Sequence, residues 1–270
     1  MNAPNALTDI VALQRQRVRA TTHFLQEIAA DEVQDRLSMV NRSFTAPAIV
    51  TPFSQVWKNH LPEAIIFPDQ EVLELAADEH DLVIHSLGLH WANDPVGQLI
   101  QCRRALKPDG LLIAASLGGQ TLTELRSCLG QAEVSVTGGL SPRIAPMAEI
   151  RDLGALLQRA GFALPVADSV KLNVEYRDVW HLMRDLKAMG EGNALAARNR
   201  TPLKRQIVDV ASRLYTDQYT TSNGRISATF EMVFLTGWAP DESQPKPLRP
   251  GSAQQRLADA LAATETPLPD

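Results

Sequence analysis

Apolar positions change period several times along the chain. From residue 8 to 40, Ile10, Leu13, Val18, Phe24, Leu25, Ile28, Val33, Leu37 and Val40 recur at steps mostly of three to five, with Arg, Gln, Glu and Asp between them. That spacing predicts helix. From Ala46 short apolar runs between breakers take over. Pro47-Ala-Ile-Val-Thr-Pro52 and Ala64-Ile-Ile-Phe67 read as strands, with a short helix over 53–61 stopped by Pro62. Residues 81–86 read as a buried strand leaving into a loop, and Asp94-Pro95 as the cap and first turn of a helix reaching Leu106. Lys107-Pro-Asp-Gly110 predicts a turn before another buried strand over 111–116. Further helices are expected over 121–129, 147–160, 179–189 and 202–219, with strands over 162–176 and 226–238. Beyond Pro240 the chain is rich in Pro, Ser, Gln and Lys.

Short apolar strands alternating with amphipathic helices predict an α/β protein with a mainly parallel sheet. The organisation expected is an N-terminal helical cap over 1–45, an α/β domain with helical insertions over 46–240 and a polar tail over 241–270. Ligands of such sheets sit beyond the carboxyl ends of the strands, which directs attention to residues 51–54, 68–69, 86–91 and 116–120.

Charge narrows the function classes. Twenty-six Lys and Arg against 31 Asp and Glu give a net charge of −5, which argues against nucleic acid as a partner. No apolar run approaches the ~20 residues of a membrane helix, so no transmembrane segment is expected. The first residues lack the charged-then-apolar pattern of a signal peptide. The two cysteines, Cys102 and Cys128, form no C-x-x-C pair. Both read as buried apolar residues, and the expected location is cytoplasmic. The basic stretch Arg15-Gln-Arg-Val-Arg19 reads as a solvated helix face, and Arg143, Arg198 and Arg200 as solvated cations. Tyr215 and Tyr219 fall one helical turn apart and are expected to pack. No metal site is expected, since five-residue spacing on a strand sends His85 and His90 to opposite faces. No residue is assigned as catalytic.

The stretch His80-Asp-Leu-Val-Ile-His-Ser-Leu-Gly-Leu-His-Trp91-Ala-Asn-Asp94, a helix, then Leu106-Lys-Pro-Asp-Gly110 and an apolar strand, resembles class I S-adenosylmethionine-dependent methyltransferases. There it would be the fourth strand, its helix and the turn into the fifth. Gly118-Gly-Gln-Thr-Leu122, Gly138-Gly-Leu-Ser-Pro142, Asp152-Leu-Gly-Ala-Leu-Leu157, Arg159-Ala-Gly-Phe162 and Gly237-Trp238 are similar to a narrower group. This is the methyltransferase-fold assembly factors of respiratory complex I and their alphaproteobacterial relatives, themselves similar to the malonyl-carrier-protein methyltransferase of biotin synthesis. The resemblance implies a truncated Rossmann-like class I methyltransferase fold with N-terminal helices and C-terminal additions. It also implies S-adenosylmethionine as cofactor, a respiratory-complex subunit as protein partner and, for the mitochondrial member, arginine hydroxylation. Asp69 matches the acid that contacts the adenine amino group, Ser86 the polar residue after strand four, and His90 and Trp91 the pocket wall beyond it.

Two departures bear on that cofactor. The family carries Asp/Glu-x-Gly-x-Gly-x-Gly after its first strand, whereas this chain reads Ile49-Val-Thr-Pro-Phe-Ser-Gln55 and has no glycine before Gly88. Side chains stand where bare backbone approaches the ligand, and Pro52 removes a donor. Only about thirty residues separate Val50 from Asp81, too few for two further strand–helix units. If Phe67-Pro-Asp69 ends the third strand, then strand two and its ribose-binding acid are missing. Three readings remain: an assembly or interaction factor with a degraded cofactor site, an active methyltransferase with an atypical site, and an arginine hydroxylase.

Overall fold

Every residue of β1 (Pro47–Thr51) and β3 (His80–Ser86) is buried, as expected of apolar strands covered on both faces. The computed structural model describes residues 6–245. It adds β2 (Ile65–Pro68), β4 (Leu106–Leu117), β5 (Ala163–Tyr176) and β6 (Ile226–Trp238), all in one sheet of order β2-β1-β3-β4-β6-β5. The first four pair in parallel, while β6 runs antiparallel to β4 and β5. The sheet is thus mainly parallel, and the C-terminal additions extend it instead of only packing against it. One strand, β2, lies outside β1, and it is partly exposed and ends in Pro68, as an edge strand permits. Between β1 and β2 there is only the short helix α3 (Ser54–Trp57). The segment resembling the family's third strand therefore sits directly beside the first.

Helices cover both faces. On one side lie α2 (Phe24–Met39), α3, α5 (Thr123–Thr137), α7 (Val179–Ala188) and α8 (Arg205–Tyr219), contributing Ala29, Trp57, Leu125, Leu182 and Tyr215 to the larger core. On the other lie α4 (Pro95–Ala105) and α6 (Ile150–Arg159), with Leu99, Cys102, Leu153 and Leu157. Tyr215 and Tyr219 pack edge to face, their ring centroids 5.3 Å apart. Asp81 fixes the entry to β1, accepting the Thr45 N–H (2.6 Å), the Thr45 hydroxyl (2.9 Å) and the Ala46 N–H (2.9 Å). The chain divides after Pro240. In residues 241–245 the Asp241 carboxylate accepts the Ser243 N–H (2.9 Å) and hydroxyl (2.6 Å). Residues 246–270 of the expected polar tail lie outside the described residues.

Several boundaries differ from the sequence reading for identifiable reasons. The N-terminal helix is two, α1 (Ile10–Arg17) and α2. Val18, Thr21 and Thr22 are β-branched poor helix formers, and the Thr21 and Thr22 N–H groups donate to the Ala188 carbonyl at 2.7 and 3.2 Å. Residues 107–110 turn inside a continuous β4. The β3 register jumps from His80↔Leu106 to Leu82↔Leu111, and Asp109 takes φ +58°. Helix α5 runs on until Gly138, whose φ of +72° ends it.

Candidate functional site

The register brings the carboxyl ends of the parallel strands to one level: Thr51 pairs with Pro68, Val50 with His85, and Ser86 with Ala115. Asp69, one residue past β2, therefore faces the end of β3. Its carboxylate is held by Arg17 of α1, with Nη1 3.0 Å from Oδ2 and side-chain exposures of 9% for Arg17 and 6% for Asp69. His85 Nε2 lies 4.0 Å from Asp69 Oδ1 and donates to Gln98 Oε1 at 2.9 Å. Nδ1 is then the unprotonated nitrogen, and it has no partner. Complete burial pushes the His85 pKa down, and the Arg17 cation adds to this, against the opposing pull of Asp69. Gly88 makes the close approach possible: a Cβ there would lie 2.3 Å from Asp69 Oδ2. Arg17 Nε and Nη2 are buried without partners.

A second group adjoins the first. His90 and Trp91 sit in a 3-10 turn (Leu89–Trp91) after β3. His90 Nε2 (3.2 Å) and Trp91 Nε1 (2.7 Å) both meet Glu191 Oε2. Burial raises the Glu191 pKa, but His90, Arg17 and the indole N–H outweigh it and hold the carboxyl below its ordinary value. Glu191 follows Gly190, whose φ of +80° turns the chain out of α7. A Cβ on Gly190 would approach Arg17 Cα at 3.2 Å and the Phe53 ring at 3.4 Å. Ser86 is fully buried and donates to Gln26 Oε1 of α2 at 3.2 Å.

At the end of β1, Thr51 Oγ1 accepts the Phe53 N–H at 3.2 Å, and the buried Phe53 ring packs on His23 with centroids 4.6 Å apart. The space left among Thr22, Gln26, Leu87, His90, Met189 and Glu191 is about 10 Å³, room for at most about one water. Beyond Trp91 and Glu191 opens a larger cavity of about 210 Å³, walled mainly by Leu, Ile, Met and Phe side chains. Among the described residues no group of three or more His, Cys, Asp or Glu is placed to hold a metal ion.

Of the residues read from sequence, Asp69, Ser86, His90 and Trp91 gather at one end of the sheet, each bonded to another side chain of the same chain. Arg17, Gln26, His85, Gln98 and Glu191 were missed. Arg17 belongs to the basic stretch read as a solvated face, yet it points inward. The strand-spacing argument for His90 fails because the strand ends at Ser86. Arg143 and Arg198 are not solvated cations either. Arg143 binds Glu133 through Nε (3.1 Å) and Nη2 (2.5 Å), and Arg198 binds Asp9 at 2.9 Å.

Residues 32–114 match the family model described as a methyltransferase domain. The chain is 40% identical over 199 residues to the mitochondrial arginine-hydroxylase NDUFAF5 of Danio rerio, covering 74% of this chain and 62% of that protein. It is 37% identical over 214 residues to the protein of the same name in Homo sapiens, covering 79% and 62%. It is 38% identical over 177 residues to a malonyl-[acyl-carrier protein] O-methyltransferase of Laribacter hongkongensis, covering 66% and 57%. The chain thus spans about three fifths of the length of the curated relatives it matches. A solved structure of a putative methyltransferase from Bacillus halodurans superposes with a TM-score of 0.49 at 11% identity, covering 78% of this chain and 98% of that one. The expected cytoplasmic location is corrected by these relatives, five of which are mitochondrial by name. Two free cysteines carry no choice between these compartments. Residues 32–114 thus match a methyltransferase domain, and the chain is similar both to the mitochondrial arginine-hydroxylases and to the malonyl-[acyl-carrier protein] O-methyltransferases.

Proposed function

We propose that this chain is an interaction or assembly factor on a methyltransferase fold, with its cofactor site filled by its own side chains. One observation carries the reading. Asp69, the residue aligned with the family's adenine-binding acid, is buried in an ion pair with Arg17. Freeing it for a ligand would leave a buried cation uncompensated, at about 3–5 kcal/mol. A micromolar ligand brings only ~8 kcal/mol in all. Phe53 and His23 pack where the glycine loop would admit the methionine moiety, the void beside them holds at most about one water, and the adjoining cavity of about 210 Å³ is walled mainly by apolar side chains. These residues do not fit S-adenosylmethionine as the family holds it, so no catalytic step is derived through it. Asp69, Ser86, His90 and Trp91 are on this reading the remnant of the cofactor site, now tying α1, α2 and the segment after α7 to the sheet. By resemblance, the protein partner is a respiratory-complex subunit.

Calorimetric titration with S-adenosylmethionine and S-adenosylhomocysteine tests the proposal. No saturable binding is expected at micromolar concentrations. A micromolar dissociation constant would sink it and promote the atypical methyltransferase reading. Arginine hydroxylation is the second reading, favoured by 37–41% identity to relatives named for that activity. It would be supported by mass spectrometry showing one added oxygen on an arginine of a respiratory-complex subunit co-expressed with this chain but not without it.

A further inference from the structure

Three hollows share walls along α7, the middle one adjoining the filled site through Trp91 and Glu191. The apolar cavity of about 210 Å³ is the middle one. Met183 and Leu203 line both it and an open hollow containing Trp180, Arg205 and Val208. At the other end, Gly192 lines both the cavity and a cleft of about 390 Å³ formed by Arg15, Arg19, Lys187 and Arg198. Trp180, Met183 and Lys187 are spaced by three and four, so they form one stripe on α7. Trp180 is 40% exposed, large for a tryptophan. The groove therefore follows α7 from Trp180 to Lys187, about 10 Å. Its character changes along the way, from aromatic and apolar, through a half-open apolar cavity, to strongly cationic.

The cationic end is unusual for a chain of net charge −5. Among the described residues, Arg15, Arg19 and Lys187 make no ion pair within 4.0 Å. Only Arg198 has a carboxylate there, Asp9 at 2.9 Å. Clustered cations repel one another, and an anion relieves this. Both end hollows are open, so an occupant can continue past either end, as a polypeptide does and a single-headed amphiphile does not. At ~3.3 Å per residue, about three extended residues span the stripe.

We propose that this groove docks an extended segment of a partner protein, its acidic residues in the Arg15–Arg19–Lys187–Arg198 cleft and an adjoining apolar side chain over Met183 and Trp180. This deepens the interaction-factor reading by naming the chemistry of the partner and where it binds. The test is fluorescence anisotropy on the full chain with labelled peptide Glu-Asp-Glu-Gly-Leu-Phe-Gly-Leu and its reversed sequence. At least one order should bind saturably. Replacing Leu and Phe by Ser, or the acids by Lys, should each weaken binding about tenfold or more. Arg19→Glu with Lys187→Glu should weaken it about tenfold or more, as should Trp180→Ala, with unchanged circular dichroism because these side chains are exposed. Added salt should weaken the first contact more than the second. Several results would overturn the proposal: no binding by either order, equal binding by the Ser peptide (a simple anion site), undiminished binding by the double variant, or saturable binding of decanoate with no peptide binding. The cofactor titration is independent of all of these. Failed peptide binding alongside absent cofactor binding removes the groove proposal alone, whereas cofactor binding removes the interaction-factor reading itself.

Discussion

Arg17→Met is the sharpest probe of how the N-terminal helices are held. The Arg17–Asp69 pair is 3.0 Å long, with both side chains at least nine-tenths buried. Its Coulomb energy is offset by desolvation, so the pair as a whole contributes little net stability, while removing one partner strands the other. Arg17→Met keeps an unbranched apolar stem without the guanidinium and leaves Asp69 unpaired beside His85, and should destabilise the fold by about 3 kcal/mol or more. Asp69→Asn strands the guanidinium, two of whose nitrogens already lack partners, with a loss of similar size. The double variant should cost less than either single one, a coupling energy of roughly 2–4 kcal/mol. Urea unfolding followed by circular dichroism measures the three differences. A loss of 3 kcal/mol corresponds to a fall in melting temperature of roughly 6–12 °C. The pH dependence adds a signature. In the intact protein the cation of Arg17 helps keep His85 neutral. Without it, Asp69 at 4.0 Å is the dominant charge, and the folded-state pKa of His85 rises. The variant's folded state then takes up a proton at a higher pH than the intact protein does, so its deficit should shrink as pH is lowered. Additive losses in the cycle, or a pH-independent deficit, would refute the reasoning.

Gly88→Ala should mimic this loss in part, by about 1–3 kcal/mol. The new Cβ displaces the Asp69 carboxylate from 2.3 Å and loosens a buried charge-assisted contact, measurable by the same urea curves. Glu133 is buried; burial raises its pKa, but Arg143 and Ser141 outweigh this and hold it below 4.5. Its stabilisation is therefore complete above that pH and lost as pH falls through the lower folded-state value, so Glu133→Gln should flatten the acid limb of a stability–pH curve. Burial pushes the Cys102 thiol up to about 12 and the Cys128 thiol up to about 11. Both should resist iodoacetamide at pH 8 in the native protein and react once it is unfolded by guanidinium, as counted by mass spectrometry.

The amino-acid sequence carried the sheet because its signals are local. Val50, Leu82, Val83 and Ile113 lie in uninterrupted apolar runs, which only a doubly covered strand can bury. Asp94-Pro95 marks a helix start through backbone geometry a few residues long. The same locality pointed to residues 51–54, 68–69, 86–91 and 116–120, since the ends of parallel strands meet at one edge of the sheet, and the family resemblance singled out Asp69, Ser86, His90 and Trp91 among them. Tertiary structure alone decided what meets them. Arg17 lies 52 residues from Asp69, and Glu191 lies 100 from Trp91. No spacing rule connects such pairs, and an arginine in Arg15-Gln-Arg-Val-Arg19 looks the same in sequence whether it faces water or a buried acid. The choice is made by packing: the turn after α1 bonds to the end of α7, Gly190 admits the Arg17 backbone, and the guanidinium is carried inward to the Asp69 carboxylate.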